Sequence, residues 1–120
     1  MSDRQFIKNY LQDFIELLQP NDELIEELVK VRNLLLEVSS KNKKVLIFGN
    51  GGSAAIASHF SVDLTKNAKL RCVNFNEASL ITCFANDYGF EHWAEKAVDF
   101  YGDEGDLLIV ISSSGQSQNM

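Results

Sequence analysis

Two short polar segments of the sequence carry residue types that can hold a phosphate group. The first, Gly49-Asn50-Gly51-Gly52-Ser53, follows the apolar run Val45-Leu46-Ile47-Phe48 and precedes a helix-like stretch over residues 54–64. Glycines such as Gly51 and Gly52 let backbone N–H groups come close to an anion. Ser53 stands where the helix should begin, so its hydroxyl could cap the helix or bind a phosphate oxygen. Taken alone, the turn could equally be a tight connection.

The second segment, Ser112-Ser113-Ser114-Gly115-Gln116-Ser117, follows another apolar run at residues 107–111. Hydroxyl and N–H groups can together surround a small dianion without any cationic side chain. The alternative is a serine-rich loop with a cap at Ser117. Two such loops at equivalent strand ends favour a shared phosphate site, because ligands bind at the carboxyl ends of parallel strands. The candidate phosphate ligands of this loop are Ser112, Ser113, Ser114 and Ser117.

The first segment does not have the residues of a nucleotide-binding loop. Ala54 follows Gly52-Ser53, so the lysine of a Walker loop is missing. The glycines also lack the G-x-G-x-x-G spacing of dinucleotide-binding folds. We therefore predict that no nucleotide is bound.

His59 and Asp63 are four residues apart on the helix that leaves the first turn, so they share one face of that helix. This spacing could provide half of a zinc site, or a base beside a polarising group. The alternative, favoured by the two residues alone, is a partly exposed histidine and a surface aspartate.

The elements that position these residues alternate between helix and strand. Apolar periodicity predicts strands at 45–48, 71–75 and 107–111 and helices at 53–66, 79–85 and 90–100, with Trp93, Ala97 and Phe100 as inner positions. This order predicts an α/β fold with a parallel sheet. The unbroken run at 107–111 is typical of a strand buried on both faces.

Two amphipathic helices precede the sheet and are separated at Pro20, with Asn21 or Asp22 able to cap the second. The second helix has a wide apolar stripe. That stripe could cover the helix's own domain, or it could bury a second face against another subunit.

Composition excludes several classes of function. The 120 residues carry a formal charge of −6, which argues against a nucleic-acid surface. No apolar run is long enough to span a membrane and no signal peptide is evident. Cys72 and Cys83 stand in apolar surroundings and are expected to be reduced core thiols of a cytoplasmic protein.

The motifs taken together resemble the sugar isomerase (SIS) domain family, most closely its phosphoheptose isomerase group. The resemblance rests on the two polar segments, on His59-Phe60 with Asp63-Leu64-Thr65, and on Asn86-Asp87-Tyr88-Gly89. It implies a three-layer α/β/α sandwich of the flavodoxin type, preceded by a helical hairpin. Residues 1–40 would mediate a homotetramer, and residues 41–120 would form the first part of the phosphosugar-binding domain.

The same resemblance implies roles for particular residues. Ser53, Ser112, Ser114 and Ser117 would hold the sugar phosphate, and Asn50 and Asp87 would contact the sugar chain. The family interconverts sedoheptulose 7-phosphate and D-glycero-D-manno-heptose 7-phosphate through an enediol, an early step towards the heptose of lipopolysaccharide or other glycans. Asp63 would be the base or, with His59, a ligand of zinc.

Two departures from the family pattern leave a second reading open. Asp63 stands where the family usually has glutamate, and one methylene less can misplace a catalytic carboxylate. The family also continues past the serine loop to a catalytic histidine, so we expect this chain to be incomplete at its C-terminus. The alternative function is a non-catalytic SIS protein that binds a phosphosugar as a regulatory signal or binds a replication initiator.

Overall fold

The computed structural model describes all of residues 1–120. The chain divides into two compact units, residues 1–32 and residues 33–120. The helices are α1 (Asp3–Leu17), α2 (Asp22–Ser40), α3 (Gly52–Lys66), α4 (Ala78–Tyr88) and α5 (Trp93–Tyr101), with a short 3₁₀ turn at Phe90–His92 before α5. The strands are β1 (Val45–Gly49), β2 (Cys72–Asn74) and β3 (Leu107–Ile111).

The three strands form one parallel sheet in the order β2-β1-β3. All five residues of β1 are buried, as expected for the middle strand of a covered sheet. The predicted elements are therefore confirmed, with small shifts at their ends. The largest shifts are in α4, which extends to Tyr88 instead of ending near residue 85, and in α5, whose α-helix begins at Trp93 instead of residue 90.

Side chains of β1 alternate between two cores, one on each face of the sheet. Leu46 and Phe48 pack with Trp93 and Ala97 of α5, and the Phe48 and Trp93 ring centroids are 5.7 Å apart. On the other face, Val45 packs with Leu64 of α3 and with Val38 near the end of α2. Helices thus cover both faces of the sheet, which confirms the three-layer α/β/α sandwich.

The unit formed by residues 1–32 contains α1 and the first part of α2. Ser2 caps α1, and the Asn21 side chain caps the next helix by accepting a hydrogen bond of 2.8 Å from the Leu24 N–H. Every residue of α1 is exposed, including its apolar stripe: Phe6, Ile7, Tyr10, Leu11, Phe14 and Ile15. The boundary between the two units lies inside α2.

The prediction that β3 is buried on both faces is wrong. Leu108 is 50% exposed and Val110 is 39% exposed, while Leu107 and Ile109 pack against the core on the other face. The reason is that β3 is an edge strand here, and the side chains of Leu108 and Val110 line a cavity of about 460 Å³ beside α5. An apolar run alone cannot distinguish a covered face from a face that borders a cavity.

Two other predictions about burial are also wrong. Cys83 is exposed, because Leu80, Ile81 and Phe84 form the side of α4 that packs on the core. Cys72 is partly buried, and burial raises the pKa of its thiol to about 11. Phe100 is 62% exposed and contacts the ring of Phe84 at the edge of the core.

No helix in the chain is both long enough and apolar enough to cross a lipid bilayer.

Candidate functional site

The sheet register brings the two polar segments together. Gly49, the last residue of β1, is paired directly with Ile111, the last residue of β3. Neighbouring strands lie about 5 Å apart, so the segments that start at Asn50 and Ser112 leave the sheet side by side. The site is therefore a product of strand pairing, which holds two loops from distant parts of the sequence at one edge.

The first turn leaves two backbone donors available for a ligand. The Asn50 carbonyl accepts hydrogen bonds from the N–H groups of Ser53 and Ala54, at 3.0 and 3.3 Å. The N–H groups of Gly51 and Gly52 make no hydrogen bond within the chain. Gly51 has a φ of 55°, a conformation that glycine adopts without strain. Unpaired N–H groups at the start of a helix are donors suited to an anion.

Gly49 is the glycine of this turn that has no room for a side chain. A Cβ built on Gly49 would lie 2.6 Å from the backbone carbonyl carbon and oxygen of Ser53. The close approach lets the chain reverse directly from β1 into α3. The sequence motif contained Gly49, but its steric role becomes visible only in the fold.

Ser53 is the second residue of α3, and its hydroxyl makes no hydrogen bond within the chain. Gly51 occupies the N-cap position and provides no side-chain cap. Of the two roles that the sequence allowed for Ser53, capping is therefore wrong. The hydroxyl remains available to a ligand.

Two hydroxyls of the serine loop shape the loop itself. Ser112 Oγ accepts a hydrogen bond of 3.1 Å from the Gly115 N–H, and Ser114 Oγ accepts one of 3.2 Å from the Gln116 N–H. Both contacts are local turns that bend the chain after β3. A hydroxyl that accepts one such bond can still donate its proton to a ligand.

The two segments enclose one small hollow of about 50 Å³. Its lining is Asn50, Ser53, Ile111, Ser112, Ser113 and Ser117. Roughly 10 to 15 Å³ is enough for one water molecule, so the hollow has room for a group somewhat larger than water. The lining contains no charged side chain, so any anion bound there would be held by hydroxyl, amide and N–H groups.

Not every residue predicted for the site lines this hollow. Gly51 lines a wider cavity of about 530 Å³ that shares Asn50 and Ser117 with the hollow. Gly52, Ser114 and Asp87 line neither of the two. Asp87 accepts a hydrogen bond of 2.9 Å from Asn86, and its charge raises the pKa of Cys83 on the same helix.

The sequence interpretation missed four residues of the wider cavity, Phe90, Glu91, Gln118 and Asn119. Glu91 is the only ionisable residue of its lining and makes no hydrogen bond or ion pair within the chain. Gln118 and Asn119 follow the serine loop and also line the cavity. The only sequence signal for them was their position next to Ser117, which gives no information about a partner.

His59 and Asp63 share one face of α3, as their spacing predicted. His59 Nε2 lies 3.6 Å from Asp63 Oδ2, with side chains that are 80% and 48% exposed. They line a separate surface cavity with Ile56 and Phe60, not the serine hollow. Asp63 also accepts a hydrogen bond of 3.1 Å from Asn67.

The His59–Asp63 pair does not amount to a zinc site within this chain. A zinc site in a protein needs three or four protein ligands. No group of three or more His, Cys, Asp and Glu residues in the chain could hold a metal ion.

The fold and the hollow define an α/β domain that presents two hydroxyl-rich loops at the carboxyl edge of a parallel sheet, where ligands bind in such folds. The sequence profile of the SIS domain family matches residues 9–120, and the chain belongs to that family. The resemblance drawn from the motifs is thereby confirmed.

The curated relatives include phosphoheptose isomerases from several bacteria. The enzyme of Fusobacterium nucleatum is 44% identical over 115 residues, a match that covers 92% of this chain and 57% of that protein. The enzyme of Helicobacter pylori strain 26695 is 37% identical over 126 residues and is covered to 66%. The chain therefore spans somewhat more than half of the length of these relatives.

Solved structures of the same group share the fold. The phosphoheptose isomerase of Neisseria gonorrhoeae superposes with a TM-score of 0.90 at 35% identity, over 98% of this chain and 65% of that one. The enzyme of Francisella tularensis gives a TM-score of 0.80 at 30% identity, over 99% of this chain and 66% of that one.

Proposed function

We propose that this protein is a phosphosugar isomerase of the phosphoheptose type, and that residues 41–120 contribute its phosphate-binding part. The observation that carries the proposal is the hollow shared by Ser53, Ser112, Ser113 and Ser117. The names and identities of the relatives support the same substrate class. The substrate would be sedoheptulose 7-phosphate, and the product D-glycero-D-manno-heptose 7-phosphate.

The phosphate end of the substrate would occupy the hollow. Serine hydroxyls and the free N–H groups of Gly51 and Gly52 would donate to its oxygens, and bonds from neutral donors to a charged acceptor are stronger than neutral pairs. The sugar chain would then extend into the wider cavity past Gly51 and Ser117. No lysine or arginine is needed, because oriented donors and a helix N-terminus together stabilise the dianion.

The isomerisation needs a base that removes the proton next to the carbonyl and returns it to the neighbouring carbon. Asp63 is the base that we propose from the family resemblance. It lies ten residues after Ser53 on α3, about 15 Å along the helix axis, and lines a surface cavity separate from the hollow and from the wider cavity. A substrate held in the hollow of the same chain does not reach that far, so Asp63 would act on a substrate bound by a neighbouring copy in the proposed homotetramer. An Asp63→Asn variant should lose turnover while keeping most of its affinity for the substrate.

Four further properties are proposed with the activity. Copies of the chain would assemble into a homotetramer through the exposed apolar residues of α1 and the first part of α2. The protein would act in the cytoplasm, where free thiols such as those of Cys72 and Cys83 stay reduced. The product would supply heptose for lipopolysaccharide or a related glycan. Zinc stays part of the proposal only if ligands other than His59 and Asp63 contribute to its site.

The direct test is to incubate the purified protein with sedoheptulose 7-phosphate and follow the sugar by NMR, with and without added zinc. Appearance of the aldose 7-phosphate at a rate well above that of a heat-denatured control supports the proposal. No turnover under either condition would contradict the isomerase assignment.

A second candidate is a non-catalytic SIS protein that binds a phosphosugar without converting it. The observation that favours it is the absence of any ionisable group from the lining of the hollow, together with the exposed position of Asp63. Calorimetry together with the NMR assay separates the two candidates, because a binder would take up the sugar phosphate with micromolar affinity in calorimetry and leave it unconverted in the NMR assay.

A further inference from the structure

A reciprocal pair of side-chain amides joins the two loops of the hollow. Asn50 Nδ2 donates to Asn119 Oδ1 at 2.8 Å, and Asn119 Nδ2 donates back to Asn50 Oδ1 at 3.3 Å. The partners are 69 residues apart in the sequence. These are the only side-chain hydrogen bonds that connect the first turn to the segment after β3.

Asn119 is largely buried, whereas polar residues in a loop are usually exposed. It is 9% exposed and is one of only two buried polar residues in the chain. A buried amide must have hydrogen-bond partners, because an unpaired one costs free energy. Asn50 supplies both an acceptor and a donor, so removing either side chain leaves the other amide without its partner.

The pair acts on the geometry of the first turn through Asn50. The backbone carbonyl of Asn50 accepts from the N–H groups of Ser53 and Ala54 and so closes the turn, while the Asn50 side chain faces Asn119. The sheet aligns the loops only as far as Gly49 and Ile111. Beyond the ends of the strands, the segment that contains Ser117 is joined to the first turn by side-chain hydrogen bonds only through the Asn50–Asn119 pair.

We propose that Asn119 is a positioning residue that holds Asn50, and with it the first turn, at a fixed distance from the serine loop. At this distance, donors of both loops can bind one phosphate. The inference rests on the proposed function and deepens it. It also assigns the Asn50 amide to the other loop, whereas the family resemblance implied contact with the sugar chain.

The test is a double-mutant cycle on the affinity for sedoheptulose 7-phosphate, measured by calorimetry on the wild type, Asn50→Ala, Asn119→Ala and the double variant. Because the two amides act as a unit, each single change should weaken binding about tenfold, and the double variant should be no weaker than either single one. Asn9→Ala is the matched control, since it also removes a side-chain amide that is hydrogen-bonded to another amide, that of Gln5 at 2.8 Å, but it lies outside both cavities; its affinity should stay within twofold of the wild type.

Two further readouts separate positioning from a general role in folding. If turnover is present, Asn119→Ala should raise KM with little change in kcat, because the phosphate is remote from the reacting carbons. The Ser53→Ala change should also cost less in the Asn119→Ala background than in the wild type. Asn119→Asp retains one acceptor for Asn50 and serves as a second variant if Asn119→Ala does not fold.

The outcomes distinguish the inference from the function on which it rests. If the wild type binds neither sedoheptulose 7-phosphate nor inorganic phosphate, the proposed function and the inference both fail. If the wild type binds but Asn119→Ala binds within twofold of it, only the inference is overturned. Additive losses in the double variant, about a hundredfold in total, would also overturn it.

Discussion

Ser53, Ser112, Ser113 and Ser117 surround a hollow with four hydroxyl groups and no cationic side chain. A phosphate held in this way depends on the direction of each donor rather than on net charge. Its affinity should therefore fall steeply when one donor is removed and respond only weakly to ionic strength. The phosphate affinity of the site thus depends on individual side chains and N–H groups.

Ser53→Ala should weaken the binding of sedoheptulose 7-phosphate by roughly tenfold, since a hydrogen bond to a charged group contributes about 1.5 to 3 kcal/mol. The melting temperature without ligand should not change, because the Ser53 hydroxyl has no partner within the chain. Ser39→Ala, at an exposed helical position far along the chain, is the control and should alter neither quantity. Equal affinity of Ser53→Ala and the wild type would remove Ser53 from the site.

Residue types alone predicted the serines of the hollow, because hydroxyls that follow a buried strand are informative by themselves. They did not predict the Asn50–Asn119 pair, whose partners are 69 residues apart and meet only when the sheet has formed. For His59 and Asp63 the two residues alone favoured a partly exposed histidine and a surface aspartate, and both side chains are exposed in the structure. Helical spacing fixes which residues share a face, but not what that face contacts.

At the scale of elements, the register between β1 and β3 decides whether the two loops meet. The opposite, amino-terminal ends of these strands are tied by Asp106, which accepts hydrogen bonds from the Lys44 N–H at 2.9 Å and from the Asp103 N–H at 2.8 Å. The Lys44 ammonium lies 2.6 Å from the Asp106 carboxylate, whose side chain is 6% exposed. This buried contact holds the register that aligns Gly49 with Ile111 at the other end.

Burial alone would raise the pKa of Asp106, but the hydrogen bonds from Lys44 and Asp103 outweigh it and hold the pKa at about 2, below the usual 3.8. The charged carboxylate therefore stabilises the fold above about pH 4, and this contribution is lost as the pH falls to about 2. Asp106→Asn should lower the melting temperature by roughly 4 °C at pH 7, the effect of about 1 kcal/mol in a domain of this size. The difference in melting temperature between Asp106→Asn and the wild type should become smaller below pH 4.

Asp103→Asn is the matched control for Asp106→Asn. Asp103 contacts the same Lys44 ammonium at 2.6 Å, but its side chain is 70% exposed. Exposed ion pairs contribute little to stability, so this variant should melt close to the wild type at every pH. If the melting temperature of Asp106→Asn equals that of the wild type at every pH from 7 to 2, the Asp106 contacts with Lys44 and Asp103 do not hold the strands together.

The junction of β1 and α3 gives a second prediction at this scale. Gly49→Ala places a methyl group 2.6 Å from the Ser53 backbone, so the turn must shift, at a cost of roughly 1 to 3 kcal/mol. Gly52→Ala meets nothing within 4 Å and puts a better helix former on the first turn of α3. Thermal melts should show a loss of stability for Gly49→Ala alone; two variants of equal stability would contradict the close approach.

Sequence patterns predicted these elements well, because apolar periodicity and turn residues are local signals. They failed for β3, where Leu108 and Val110 face a cavity, and for Phe100, which lies at the edge of the core. Whether an apolar face is covered depends on neighbouring elements, and the periodicity of a single segment does not contain that information.

For the whole molecule, the feature that bears on assembly is the set of exposed apolar side chains of α1. Side chains such as Phe14, which is 50% exposed, form a stripe along one face of this helix. Apolar area of this kind is unfavourable in water and is commonly buried between subunits. The stripe fits the proposed homotetramer.

Phe14→Asp should lower the molar mass measured by light scattering from that of a tetramer to that of a smaller species, because a carboxylate on the stripe cannot be buried cheaply. Gln12→Asp is the control, since Gln12 is about 200° around the helix from Phe14 and lies off the stripe. A wild type that elutes as a monomer, or a Phe14→Asp variant that remains a tetramer, would contradict the proposed interface.

A crystal structure with sedoheptulose 7-phosphate tests the central claim most directly, namely that two hydroxyl-lined loops hold one phosphate without a cation. The phosphorus atom should lie in the hollow, with phosphate oxygens about 3 Å from the hydroxyls of Ser53, Ser112 and Ser117 and from the Gly52 N–H. A phosphate bound by lysine or arginine side chains, or bound at the His59–Asp63 surface with the hollow empty, would contradict the claim.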